Sequence, residues 1–222
     1  MRRFFLIATL ALMFGCGKPE GPTTKSPAAA VPAPPPPAAD PRRAIVCFGD
    51  SITAGFGLDA GQSFPDLLQQ DLDRRRLAYR VVNLGVSGDT TQDGLARVFM
   101  ALAEKPAIVV LELGGNDGLR GIPLAITQAN LAQMIEAFQG AGARVVLAGM
   151  SLPPNYGRAF IQKFEAVYKD LAAKYKLTFI PFLLEGVGAH DDLMQRDGIH
   201  PNAAGARKVE ALVMKTLAPL LK

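Results

Sequence analysis

Ala44-Ile45-Val46-Cys47-Phe48-Gly49-Asp50-Ser51 reads as five apolar residues, a glycine, and then two polar side chains. A short apolar run with β-branched and aromatic residues, stopped by glycine, fits a strand buried on both faces. Four similar runs follow, over residues 80–84, 107–113, 144–150 and 177–181. Helical periodicity lies between and after them, near residues 65–76, 91–103, 124–140, 160–175 and 201–221. This alternation predicts an α/β fold, a three-layer sandwich in which a five-stranded parallel sheet carries helices on both faces. Pro65 and Pro201 suit the first turns of their helices, where a missing N–H costs nothing. In open sheets of this kind ligands bind beyond the carboxyl ends of the strands, so the residues just after each run are where chemistry should be sought.

The 222 residues, 49% hydrophobic and 20% charged, are enough for one ordinary core and a tail. The net charge of +4 invites a nucleic-acid reading, but the excess is confined to the first 43 residues. From Ala44 onward there are 18 basic and 18 acidic residues, no Trp and only four Tyr. Such a domain lacks both the electrostatic footprint and the stacking surfaces for nucleic acid. No apolar run reaches the roughly 18 residues of a membrane span, which excludes a multi-span membrane protein.

Residues 1–15 read as a signal peptide: Arg2 and Arg3 precede an apolar stretch over residues 4–14. Leu12-Met13-Phe14-Gly15-Cys16 resembles the lipobox of bacterial lipoproteins, which makes Cys16 the expected site of lipidation. Residues 16–43 then form a lipidated cysteine and a Pro/Ala-rich spacer, holding nine of the chain's 17 prolines. The expected location is exported, on the periplasmic side, lipid-anchored to a membrane, the outer membrane by preference. Cys47, the second cysteine, belongs to the first apolar run and reads as buried and unpaired.

The folded domain is expected over residues 44–222, and its strand ends are rich in Gly and polar groups. Gly49-Asp50-Ser51 follows the first run, Gly85-Val86-Ser87-Gly88-Asp89 the second, and Gly114-Gly115-Asn116-Asp117 the third. A long loop after the fifth ends Asp197-Gly198-Ile199-His200-Pro201. A serine hydroxyl needs a base within hydrogen-bond reach, usually imidazole, and a carboxylate to fix that imidazole's tautomer. His200, three residues after Asp197, supplies both parts to Ser51. His190 has no strand-end context and reads as a surface residue. Acyl transfer also needs donors aimed at an oxyanion, and the N–H groups of Ser51 and Gly88 and the amide of Asn116 are available.

These four blocks, in this order over residues 44–222, resemble those of the SGNH, or GDSL, hydrolases. The bacterial exported thioesterase I/lysophospholipase/arylesterase type is the most similar, through Ser87-Gly88-Asp89-Thr90, the stretch from Glu112 to Gly121, and Leu152-Pro153-Pro154-Asn155-Tyr156-Gly157. The resemblance implies a flavodoxin-like sheet and hydrolysis of carboxylic esters or thioesters through an acyl-enzyme. It implies Ser51 as nucleophile, His200 as base, Asp197 as its partner, and Ser51, Gly88 and Asn116 as the oxyanion hole. Leu152, Pro153, Asn155 and Tyr156 are expected to contact substrate. No cofactor and no metal are implied, and the expected partners are a small acyl ester or thioester and, through Cys16, a membrane.

Other readings are weaker. Gly55-Phe56-Gly57-Leu58-Asp59-Ala60 matches a dinucleotide-binding fingerprint, but the strand ends seven residues too early. His190, Asp192, Asp197 and His200 are metal-ligand types without a spacing that demands a metal. A tethered acyl- or glycan-binding lipoprotein on an inactive scaffold would have lost Ser51 or His200, and a carbohydrate deacetylase would use the same residues on another substrate.

Overall fold

A computed structural model describes residues 40–221. The signal-like segment, Cys16 and the spacer as far as residue 39 lie outside the described residues. Five parallel strands, β1 (Arg43–Gly49), β2 (Tyr79–Gly85), β3 (Pro106–Glu112), β4 (Arg144–Ala148) and β5 (Thr178–Ile180), form one sheet in the order β2-β1-β3-β4-β5. This is the flavodoxin-like order, in which the chain reverses direction across the sheet between β1 and β3. Right-handed crossovers place α2 (Phe64–Arg74) and α8 (Ala203–Leu217) together on one face. On the other lie α3 (Thr91–Ala96), α4 (Val98–Ala103), α6 (Leu124–Gly140) and α7 (Arg158–Tyr175). Residues 44–49 of β1 are buried without interruption, because the strand has a neighbour on each side and a helix layer above and below.

Local chemistry marks the helix starts. Ser63 caps α2 by accepting from the Asp66 N–H, and Pro65 lies in its first turn. Thr90 and Asp93 form a reciprocal capping box at α3. Asn202 caps α8 by accepting from the N–H groups of Ala204 and Gly205 at 2.9 and 3.1 Å.

The structure corrects three expectations. Pro201 is not in the first turn of the last helix: it lies before the Asn202 cap and forms a bridge with Met194 that closes the preceding loop. The single helix expected over residues 91–103 is broken at Arg97, whose φ of −113° is not helical. Arg97 leaves the helix to donate to the carbonyls of Leu84 and Gly49, both at 2.8 Å, and to the Asp89 carboxylate at 2.6 Å. Two Gly-rich loops contain short helices, α1 (Ser51–Ala54) and α5 (Gly115–Leu119), too brief to carry periodicity.

Gly49 ends β1 where no side chain fits. A Cβ there would lie 2.1 Å from Thr53 Oγ1 and 2.4 Å from Glu112 Oε2. Gly49→Ala should therefore destabilise the fold by at least about 2 kcal/mol through overpacking. Gly140→Ala, in helical backbone with open space around it, should stabilise by about 0.5 kcal/mol through the unfolded chain. Urea midpoints of the two variants should move in opposite directions from that of the parent.

Candidate active site

The strand-end loops converge as their order in the sheet requires. Ser51 opens α1, directly after β1, with Asp50 as the cap: Asp50 Oδ1 accepts from the Ile52 N–H at 3.1 Å. His200 arrives on the loop after β5, and its Nε2 stands 2.8 Å from Ser51 Oγ. Its Nδ1 is 2.7 Å from Asp197 Oδ2, which leaves Nε2 free to act as acceptor. Asp197 Oδ1 also accepts from the N–H groups of Ile199 and His200 at 3.0 and 3.1 Å. Burial raises the Asp197 carboxyl, but the bonds from His200 and the backbone outweigh it and hold the group below the usual carboxylate range.

The loop carrying His200 is fastened from outside. Gln195 Nε2 donates to the carbonyls of Phe56 and Pro201 at 2.7 and 3.0 Å, tying residues 195–201 to the turn after α1. The Phe56 ring lies against the His200 imidazole with centroids 4.7 Å apart. Neither residue is singled out by the sequence; the glycines around Phe56 advertise a turn, and its contact with imidazole depends on a loop more than 130 residues away.

The remaining donors stand beside the hydroxyl. Gly88, at φ +89°, occupies backbone space that a side chain would strain, and its carbonyl accepts from Arg120 Nη2 at 2.9 Å. The Asn116 amide, on α5, donates to the Asp89 carbonyl at 2.9 Å and to Asp50 Oδ2 at 3.2 Å. Among the described residues the N–H groups of Ser51 and Gly88 have no acceptor. Beneath Asn116, Asp117 holds α5 to its neighbours. It accepts from the Thr91 N–H at 2.8 Å and from the hydroxyls of Thr91 and Thr127, while Asn130 donates to Thr91 Oγ1.

Ser51, Gly88, Asn116 and His200 line one wall of a cleft of about 510 Å³. The rest is largely apolar, with Leu119, Met150, Leu152, Phe182, Leu184 and Met194 prominent. Of the residues expected to touch substrate, Leu152 and Pro153 line the cleft. Asn155 and Tyr156 do not. The chain turns there as a short 3-10 helix, leaving Asn155 exposed, and the Tyr156 hydroxyl donates to the Leu119 carbonyl at 2.9 Å, so Tyr156 braces α5 from behind. His190 is exposed, in keeping with a surface residue.

A hydroxyl, an imidazole and a carboxyl in series, with free N–H groups at an apolar cleft, define a serine hydrolase built at the carboxyl edge of an α/β sheet. Residues 47–208 match the model of the GDSL-like lipase/acylhydrolase family, and the chain belongs to that family. It is 50% identical over 178 residues to Esterase TesA of Pseudomonas aeruginosa, covering 80% of this chain and 89% of the relative. To the thioesterase 1/protease 1/lysophospholipase L1 of Escherichia coli strain K12 it is 38% identical over 178 residues, 80% of this chain and 84% of that protein. A crystal structure of TesA superposes with a TM-score of 0.78 at 49% identity, covering 81% of this chain and all of the other.

Removing the Asp117 carboxyl leaves the Thr91 N–H and two hydroxyls buried without an acceptor. Asp117→Ala is expected to cost about 3 kcal/mol or more, measured by thermal unfolding, whereas Thr127→Val should cost about 1 kcal/mol because only one bond is lost.

Proposed function

We propose that this chain hydrolyses carboxylic esters and thioesters of fatty acids, lysophospholipids among them, through an acyl-enzyme on Ser51. The observation that carries the reading is the continuous path from Asp197 to His200 to Ser51, at 2.7 and 2.8 Å, ending at an apolar cleft. His200 Nε2 takes the hydroxyl proton as Ser51 Oγ attacks the acyl carbon. Asp197 keeps the proton on Nδ1 and stabilises the imidazolium that forms. The oxyanion receives the N–H groups of Ser51 and Gly88 and a proton of the Asn116 amide, for which it competes with the longer bond to Asp50. Imidazolium then protonates the leaving alkoxide or thiolate. Water, deprotonated by the same imidazole, releases the acid. The acyl chain lies along the apolar lining, whose volume is in the ordinary range for small-ligand clefts. The names of the two relatives, an esterase and a thioesterase/lysophospholipase, agree with this substrate class.

We further propose that Cys16 is lipidated and that the spacer holds the hydrolase on the periplasmic side of a membrane, by preference the outer one. The apolar stretch ending at Gly15-Cys16 and the proline-rich segment after it support this reading.

On a chromogenic short-chain ester, Ser51→Ala and His200→Ala should each abolish nearly all turnover, and the double variant should be no worse than either. Asn116→Ala should lower kcat roughly a hundred- to a thousandfold, about 3–4 kcal/mol, with little change in KM, since its donor acts on charge present only in the transition state. A raised KM at unchanged kcat would instead make Asn116 a ground-state contact. For the anchor, metabolic labelling with a radioactive fatty acid should mark the wild type and not Cys16→Ser; label on both, or on neither, refutes lipidation at Cys16.

A further inference from the structure

Beneath the nucleophile lie two carboxyl groups for which the triad has no use. Asp50 is 3% exposed and Glu112, the last residue of β3, is fully buried. Glu112 Oε2 accepts from Thr53 Oγ1 at 2.7 Å and from the Asp50 N–H at 3.2 Å, so it grips α1 on both sides of Ser51. Its other oxygen, Oε1, receives no N–H or hydroxyl donor. Asp50 in turn uses Oδ1 to cap α1 and Oδ2 to accept from the Asn116 amide. The two residues are joined through the Asp50 N–H, directly ahead of the nucleophile.

Two neighbouring buried carboxyl groups resist ionising together. Burial pushes the Asp50 carboxyl up to about 6, and burial together with the Asp50 charge pushes Glu112 well above the carboxylate range.

We propose that Glu112 is a positioning residue of the oxyanion hole: by accepting from the Asp50 N–H and from Thr53 Oγ1 it fixes α1 around Ser51 and holds Asp50 where its carboxylate receives the Ile52 N–H and the Asn116 amide. The inference rests on the reading of Asn116 as an oxyanion donor. Loosening that grip would shift donors that act on charge present only in the transition state, which penalises the transition state and not the bound ester.

The test compares wild type, Glu112→Gln, Glu112→Leu and Asn116→Ala on one short-chain aryl ester, with kcat and KM measured at neutral pH. Glu112→Leu removes the acceptor that holds α1 and should lower kcat about a hundredfold with KM little changed. Glu112→Gln retains an acceptor and should restore most of that loss. Full kcat in Glu112→Leu would overturn the proposal, as would a Glu112→Gln no better than Glu112→Leu. If Glu112→Leu does not fold, Thr53→Val, which removes one of the two bonds to Glu112, decides: a lowered kcat at little-changed KM supports the proposal and full kcat overturns it. Undiminished kcat in Asn116→Ala would refute the oxyanion reading itself, a result separable from both.

Discussion

The backbone of Gly49 is the point on which the catalytic edge depends. The strand it ends is flanked by β2 and β3, and within one residue the chain passes from an apolar ladder to a polar site. Its carbonyl accepts from the Val86 N–H at 3.0 Å and from Arg97. The space where its side chain would stand is filled by Thr53 and Glu112. The loops after β1 and β2, the last residue of β3 and the junction between α3 and α4 thus meet at one residue. Glycine serves here because other groups must approach the backbone closely. Movement of Gly49 would displace Ser51, the Gly88 turn and Asn116 together.

From that junction the polar groups of the catalytic edge are linked from loop to loop. Arg97 takes two strand-end carbonyls and Asp89; the Asp89 carbonyl takes Asn116; Asn116 reaches Asp50. Asp117 does the same for α3 and α6 one layer deeper. Among the described residues, the N–H groups of Ser51 and Gly88 are left without an acceptor on the cleft that holds the reactive hydroxyl. Rigidity in the supporting groups and spare hydrogen-bonding capacity at the substrate position are what oxyanion stabilisation requires, because the donors need no rearrangement when charge develops.

The five strands, the long helices and the Ser51, Asp197, His200 and Asn116 positions are legible in the sequence because each rests on local pattern: apolar runs, glycine stops and short polar blocks. What the sequence hides is decided by distant contacts. Arg97 sits in a good helical pattern, and only the carbonyls at two strand ends explain why the helix breaks there. Glu112 is masked by the apolar run around it, although a lone carboxylic acid between Leu111 and Leu113 was the available sign of a buried acid. Asn155 and Tyr156 stand in one short block with Leu152 and Pro153, yet a shared block does not say which of its residues line the cleft. Phe56 and Gln195 reach the site only after the last loop has folded back over α1.

The described chain joins the domain at residue 40, just ahead of β1, and the seven residues of that strand then run to the catalytic edge. At about 3.3 Å per residue, the nucleophile stands roughly 20 Å from where the strand begins. Mechanically this is a strong mounting. A pull from the N-terminal side acts along β1, which is laced in parallel to β2 and to β3. Both ladders would resist in shear, with many bonds stretched at once, where an edge strand has only one ladder to load. A load on the chain ahead of residue 40 is thus taken up by two ladders before it reaches the cleft, which lies at the far end of β1.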